Sequence, residues 1–81
     1  MLNVTIYSKK ECHLCKIAKE DLEVIRREFD FTLEEVDIEK DIFAYEKFKH
    51  LIPVVEVNGK IISSGRVNGK KLIDLFKHQL Q

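Results

Sequence analysis

The chain has 81 residues, 44% hydrophobic and 35% charged, with 14 Lys and Arg balanced by 14 Asp and Glu. That suffices for one small domain, expected to span residues 1–81, and is too apolar and too evenly charged for a disordered chain. A net charge of zero offers no basic field for nucleic acid or anionic lipid, and no stretch reaches the roughly 20 apolar residues of a membrane-spanning helix.

The first residues, Met1-Leu2-Asn3-Val4-Thr5, have neither the basic region nor the apolar run of a signal peptide. The expected compartment is therefore the cytoplasm. Leu2, Val4 and Ile6 alternate with Asn3, Thr5 and Tyr7, the period-two signature of a strand. Ser8-Lys9-Lys10-Glu11 is polar and predicts a short loop. From His13 the period becomes helical: Leu14, Ile17, Ala18, Leu22, Ile25 and Phe29 form one apolar stripe, with Lys16, Lys19, Glu20, Glu23, Arg26 and Arg27 mostly outside it. Phe31-Thr32-Leu33 alternates again, while Val36 and Ile38 fall out of phase, which predicts a bend or bulge near Glu34-Glu35.

Asp41 is suited to cap a short helix carrying Ile42, Phe43, Tyr45 and Phe48. That helix must stop before Pro53, because the residue preceding proline avoids helical backbone. Val54 to Val57, Asn58-Gly59, then Lys60-Ile61-Ile62 reads as strand, turn, strand, since Asn-Gly supplies the two positive φ angles of a tight hairpin. Asn68 can cap a last helix with Leu72, Ile73, Phe76 and Leu80 on its inner side. The order β-α-β-α-β-β-α predicts an α/β fold: a parallel crossover extended by a hairpin, giving a mixed four-stranded sheet flanked by helices.

Both cysteines lie in Cys12-His13-Leu14-Cys15. As a structural staple this pair would do little: closing so short a loop restrains the unfolded chain by about 2 kcal/mol, against about 4.7 for a loop of ~100 residues. As a redox pair it is well situated. Cys12 falls at the end of a strand-to-helix loop and Cys15 one turn later, where side chains three apart are neighbours at about 5–6 Å. The helix N-terminus offers unpaired N–H groups and partial positive charge to a Cys12 thiolate, which can draw a thiol from ~8.5 into the ~3.5–7.5 range. Lys9, Lys10, His13 and Lys16 could add to that potential, and Glu11 opposes it. The expected roles are Cys12 as attacking thiolate and Cys15 as resolving thiol. A zinc site would need two further ligands, and only His13, His50 and His78 remain, without paired spacing. No metal and no bound cofactor beyond the redox-active disulfide is expected.

The strings Ile6-Tyr7-Ser8-Lys9, Cys12-x-x-Cys15, Ile52-Pro53-Val54-Val55 and Asn58-Gly59-Lys60 resemble, in order and over essentially the whole chain, the glutaredoxin branch of the thioredoxin fold. The resemblance implies thiol–disulfide oxidoreductase activity on disulfide-containing proteins or small molecules. It further implies a cis peptide before Pro53 facing the cysteines, an Ile52 backbone that pairs with an extended substrate, and Lys9 placed to hold a glutathione carboxylate. His13 and Leu14 stand where glutaredoxins commonly carry Pro-Tyr. Their Gly-Gly-x-Asp-Asp segment is replaced by Ser63-Ser64-Gly65-Arg66-Val67, which is closer to the Ser-Gly-Phe-Arg-Pro of the redoxins that serve ribonucleotide reductase. Gly65 and Arg66 thereby join the expected substrate-binding residues, together with Lys9, His13, Leu14, Ile52 and Pro53.

Either glutathione, as co-substrate, or a thioredoxin-reductase-type enzyme could supply electrons to such a chain, which is expected to act as a monomer. A non-enzymatic carrier of metal or an iron–sulfur cluster on the two thiolates is the alternative from a different class. His13 is open to two readings, tuning of the thiolate or plain exposure on the loop. Tyr7, on the polar phase of its strand, is expected to pack. His50 and His78 are expected on helix surfaces.

Overall fold

In the computed structural model, residues 2–66 and 69–79 are described. The elements are β1 (Leu2–Ser8), α1 (His13–Ile25), β2 (Phe31–Asp37), a 3₁₀ turn (Ile38–Lys40), α2 (Ile42–Phe48), β3 (Val54–Val57), β4 (Lys60–Ser64) and α3 (Gly69–Gln79). The predicted order holds throughout. β1 and β2 pair in parallel through the α1 crossover, β3 lies antiparallel on the other side of β1, and β4 completes the order β2-β1-β3-β4.

Alternation on the strands divides the apolar residues between two faces. On one face Val4, Ile6, Val55 and Val57 meet Ala18, Leu22 and Ile25 of α1 and Leu72 and Phe76 of α3. The Phe76 ring lies 5.3 Å from Phe31 and 6.3 Å from Phe29. On the other face Val54 and Ile38 pack with Ala44 and Phe48 of α2, and the Tyr7 ring stands 4.5 Å from Phe48. The first cluster holds 11 buried residues and the second 4. At roughly 1.5–3 kcal/mol for each large buried side chain, the α1/α3 face carries most of the hydrophobic stabilisation.

Local signals behave largely as their chemistry dictates. The Asp41 carboxylate caps α2 by accepting from the backbone N–H groups of Phe43 at 3.0 Å and Ala44 at 3.2 Å. Asn58 and Gly59 take φ of 50° and 85°, the positive values that their hairpin requires. The Ile52–Pro53 peptide is cis, as the family resemblance implied.

Four expectations are corrected. No bulge interrupts β2, whose pairing runs unbroken from Leu2↔Phe31 to Ser8↔Asp37. Val36 changes phase because it faces the α2 side, and Ile38 because the strand has already given way to the 3₁₀ turn. The register shift falls instead between β3 and β4, where Val55 pairs Ser63 but Glu56 pairs Ile61, leaving Ile62 as the extra residue. Ile17 is 37% exposed rather than buried in the α1 stripe, and Phe29 packs from beyond the end of the helix. Ile42 and Phe43 stand 72% and 84% exposed, because Ala44 and Phe48, four apart, form the face that α2 turns to the sheet. The expected Asn68 cap, Val67 and Leu80 lie outside the described residues.

Candidate active site

β1 delivers the chain to the site. Its last residue, Ser8, is buried, and the loop that follows turns through Glu11 at φ 57°. That left-handed turn, uncommon for a side chain of this size, leaves Cys12 at the N-cap of α1 with extended backbone at φ −107°, ψ 107°. The Cys12 carbonyl accepts the first helical bond from Lys16, and its Sγ accepts the Cys15 backbone N–H at 3.2 Å. Sulfur here occupies the place where a Ser or Asp oxygen usually satisfies an unpaired helix donor.

Cys12 and Cys15 are joined as a disulfide across a Cα–Cα distance of 5.2 Å, well inside the usual range. The two sulfurs differ in access. Cys15 is 1% exposed, whereas Cys12 is only half-buried.

Two cavities flank the pair, and His13 lines both. The first, about 450 Å³, holds Cys12 with Lys9, Lys10, Lys16 and Lys19 around it, and Glu11 as the carboxylate. The second, about 370 Å³, is walled by Leu14, Ile17 and Ala18 of α1, with Gly65 and Arg66 across from them. Asp21 and Gly69 close its far side. The Asp21 carboxylate lies against Gly69 closely enough that a Cβ there would come within 3.3 Å of Oδ1.

Pro53 reaches the site through sheet register. Tyr7 pairs Val54, the last pair of the β1–β3 ladder, so the cis proline lies just beyond it, at the end of β1 from which the cysteine loop departs. Gly65, at φ 70°, donates its N–H to the carbonyls of Pro53 and Leu51, both at 2.9 Å. Pro53 and Gly65, which flank the β3–β4 hairpin, are thus neighbours, and Gly65 also lines the second cavity. Ile52 is half-buried against the α2 cluster and donates its N–H to the Phe48 carbonyl at 3.2 Å. Its donor is therefore engaged internally.

A polar network supports the lysine side. The Lys19 Nζ pairs with Glu35 Oε2 at 2.8 Å, and the buried Ser8 hydroxyl donates to the same oxygen at 3.0 Å. These two bonds hold the Glu35 carboxyl below the usual carboxylate range, the Lys19 hydrogen bond contributing most. On the opposite face the Tyr7 hydroxyl is pushed above its ordinary value, first by burial and then by Glu56, to which it donates at 3.4 Å.

Of the residues expected at the site, Lys9, Cys12 and His13 line the first cavity and His13, Leu14, Gly65 and Arg66 the second, whereas Cys15, Pro53 and Ile52 line neither: Cys15 is bonded to Cys12, Pro53 to Gly65, and Ile52 packs against the α2 cluster. Ile17, Asp21 and Gly69 were not anticipated. Helical spacing held a signal for two of them, since Leu14, Ile17 and Asp21 recur at three and four residues along one side of α1. Gly69 had none, because only the packing of α3 against α1 brings it near. Among the described residues, no group of three or more His, Cys, Asp or Glu side chains is disposed to hold a metal ion, and no helix is long and apolar enough to cross a membrane.

A parallel crossover with a cysteine pair at its first helix, followed by a hairpin that opens on a cis proline, defines a protein of the thioredoxin fold. Solved structures agree on the architecture. Protein Ne2328 from Nitrosomonas europaea is similar with a TM-score of 0.81 at 20% identity, covering 99% of this chain and 92% of its own. Thioredoxin 1 from Thermosipho africanus is similar with a TM-score of 0.71 at 18% identity, covering 96% and 93%. Within that fold the sequence is specific: the glutaredoxin-like domain (DUF836) matches residues 3–77, and the chain belongs to that family. It is 34% identical over 77 residues to the glutaredoxin-like protein YDR286C homolog of Dictyostelium discoideum, spanning 88% of this chain and 71% of that protein.

Proposed function

We propose that the chain is a dithiol thiol–disulfide oxidoreductase that reduces disulfides of protein substrates through Cys12 and Cys15. The observation that carries this reading is the position of Cys12 at the N-cap of α1, half-buried, with its sulfur accepting a backbone N–H, while Cys15 is buried one turn behind it. Unpaired helix donors and the four surrounding lysines favour a thiolate at Cys12 in the reduced protein.

The reaction balances as follows. The Cys12 thiolate attacks one sulfur of the substrate disulfide; a Cys12–substrate S–S bond forms, the substrate bond breaks, and the second substrate sulfur leaves as a thiolate that takes a proton from solvent. Cys15 then loses its proton and attacks Cys12 Sγ, which releases the first substrate sulfur and leaves the Cys12–Cys15 disulfide. Two electrons pass to the substrate. A reductase or two molecules of glutathione restore the dithiol, in a reducing compartment such as the cytoplasm. Pro53, Gly65, Arg66, His13, Leu14 and the Ile52 carbonyl are assigned to the groove that seats the substrate chain.

Lys9 on the wall of the Cys12 cavity favours a second reading, in which glutathione is the reductant and its carboxylate rests on that lysine. A redox titration in glutathione buffers, with alkylation and intact mass read at each point, separates the two. A two-electron transition between dithiol and intramolecular disulfide supports the dithiol route. A persistent adduct of one glutathione on Cys12 supports the second, and no redox transition between the two cysteines overturns both.

A further inference from the structure

The two cavities beside the tetrad differ in chemistry, and together they describe the substrate. The chain as a whole carries as many acidic as basic groups, 14 of each. Around Cys12 that balance fails: four lysines line the cavity against one carboxylate, Glu11. Of the four, Lys19 is neutralised by Glu35 at 2.8 Å. Lys9, Lys10 and Lys16 are exposed and take part in no ion pair among the described residues. On the other side of His13 the α1 wall of the second cavity is apolar, formed by Leu14, Ile17 and Ala18, with one charge of each sign, Asp21 and Arg66, at its margins, and Ile17 remains 37% exposed. Three solvated ammonium groups beside one cavity and an accessible isoleucine on the wall of the other present different chemistry on the two sides of the tetrad, which a single occupant can complement.

We infer that the substrate is a protein disulfide whose attacked cysteine has acidic residues on one side, over Lys9, Lys10 and Lys16, and an apolar residue on the other, over Leu14 and Ile17. The inference rests on the oxidoreductase reading and specifies its substrate. Charge complementarity of this kind acts chiefly on association rate and orientation, and fades as salt screens it. The apolar contact fixes which side of the cysteine faces which cavity. Glutathione disulfide shares the carboxylates but has no apolar side chain for the second cavity.

The test uses the full chain, reduced beforehand, against disulfide-linked homodimers of four short peptides. The first has the order Glu-Glu-Cys-Leu, the second reverses it, the third replaces Glu by Lys, and the fourth replaces Leu by Ser; glutathione disulfide is run beside them. Expected is a kcat/KM for the better of the two acidic, leucine-bearing peptides about tenfold above that of the lysine peptide at low salt, the gap closing as ionic strength rises. Lys10→Gln with Lys16→Gln narrows that gap, and Ile17→Ser removes the advantage of leucine over serine. Lys60→Gln with Lys77→Gln, at the hairpin end of β4 and in the last turn of α3, serves as a charge-matched control and changes neither ratio. Equal rates for acidic and basic peptides overturn the inference while leaving the oxidoreductase reading intact. So does a glutathione disulfide rate above that of the acidic peptides, which assigns the lysines to a small anionic disulfide. No reduction of any disulfide overturns both.

Discussion

The backbone N–H of Cys15 donates to the sulfur of Cys12 across 3.2 Å, so one residue of the pair caps the helix on which the other is buried. Deprotonation at Cys12 strengthens that bond, whereas charge at Cys15 would be formed in an apolar setting with 1% exposure. The two thiols of one short motif are made unequal by a single helix turn.

From this asymmetry, iodoacetamide should modify Cys12 of the reduced protein well before Cys15, as followed by peptide mass. Cys12→Ser should abolish disulfide reduction. Cys15→Ser should instead retain attack and accumulate mixed disulfides on Cys12. Retention of full activity by Cys12→Ser would show that the nucleophile is misassigned.

Asp41 offers one carboxylate to two N–H groups at the start of a helix only seven residues long. Asp41→Ala should cost about 1 kcal/mol, a fall in melting temperature of about 4–8 °C for a chain of this size. Asp41→Asn should recover most of it. Equal losses for the two variants in thermal unfolding would rule out capping as the cause.

Glu35 is held below the ordinary carboxylate range by Lys19 and Ser8. A depressed folded-state value means its stabilisation is fully present above the unfolded-state value and is lost as pH falls through the folded one. With side chains 39% and 49% exposed, the Lys19–Glu35 pair is heavily screened, and its worth should not exceed about 1 kcal/mol. Urea unfolding should therefore separate wild type from Glu35→Gln at pH 7, and the gap should close as pH is lowered below the ordinary carboxylate range. A gap that persists in acid would point to packing rather than charge.

Gly65 sits at φ 70° with nothing within 4 Å of the position a Cβ would take. Gly65→Ala therefore meets no clash and pays only for left-handed backbone, about 1–2 kcal/mol. Because Gly65 bonds the Pro53 carbonyl, the same variant should also lower kcat/KM for a disulfide substrate. Unchanged stability would mean that the backbone relaxes out of the left-handed region.

Most of the architecture is legible along the chain because its signals are local. Period-two alternation locates β1, Asn58-Gly59 locates the hairpin, and Asp41 marks the start of α2, each through chemistry confined to a few residues. The tetrad is legible for the same reason, since its spacing against a strand-to-helix switch already puts Cys12 at a helix start. Periodicity misleads where a side chain's surroundings are non-local. Val36 breaks phase because this sheet is covered on both faces, and Ile42 and Phe43 are apolar yet exposed because α2 meets the sheet only along its Ala44 and Phe48 side.

By itself, then, the sequence determined the order of elements, the family, and the pairing of Cys12 with Cys15 on one helix turn. Tertiary structure alone decided what surrounds that pair. The antiparallel pairing of β3 on β1 brings the cis Pro53 to the end of β1 from which the cysteine loop departs, and the packing of α3 on α1 brings Gly69 to Asp21. Helix spacing and turn chemistry act over a few residues, whereas contacts between residues some 40 to 50 positions apart arise only when both faces of the sheet are covered.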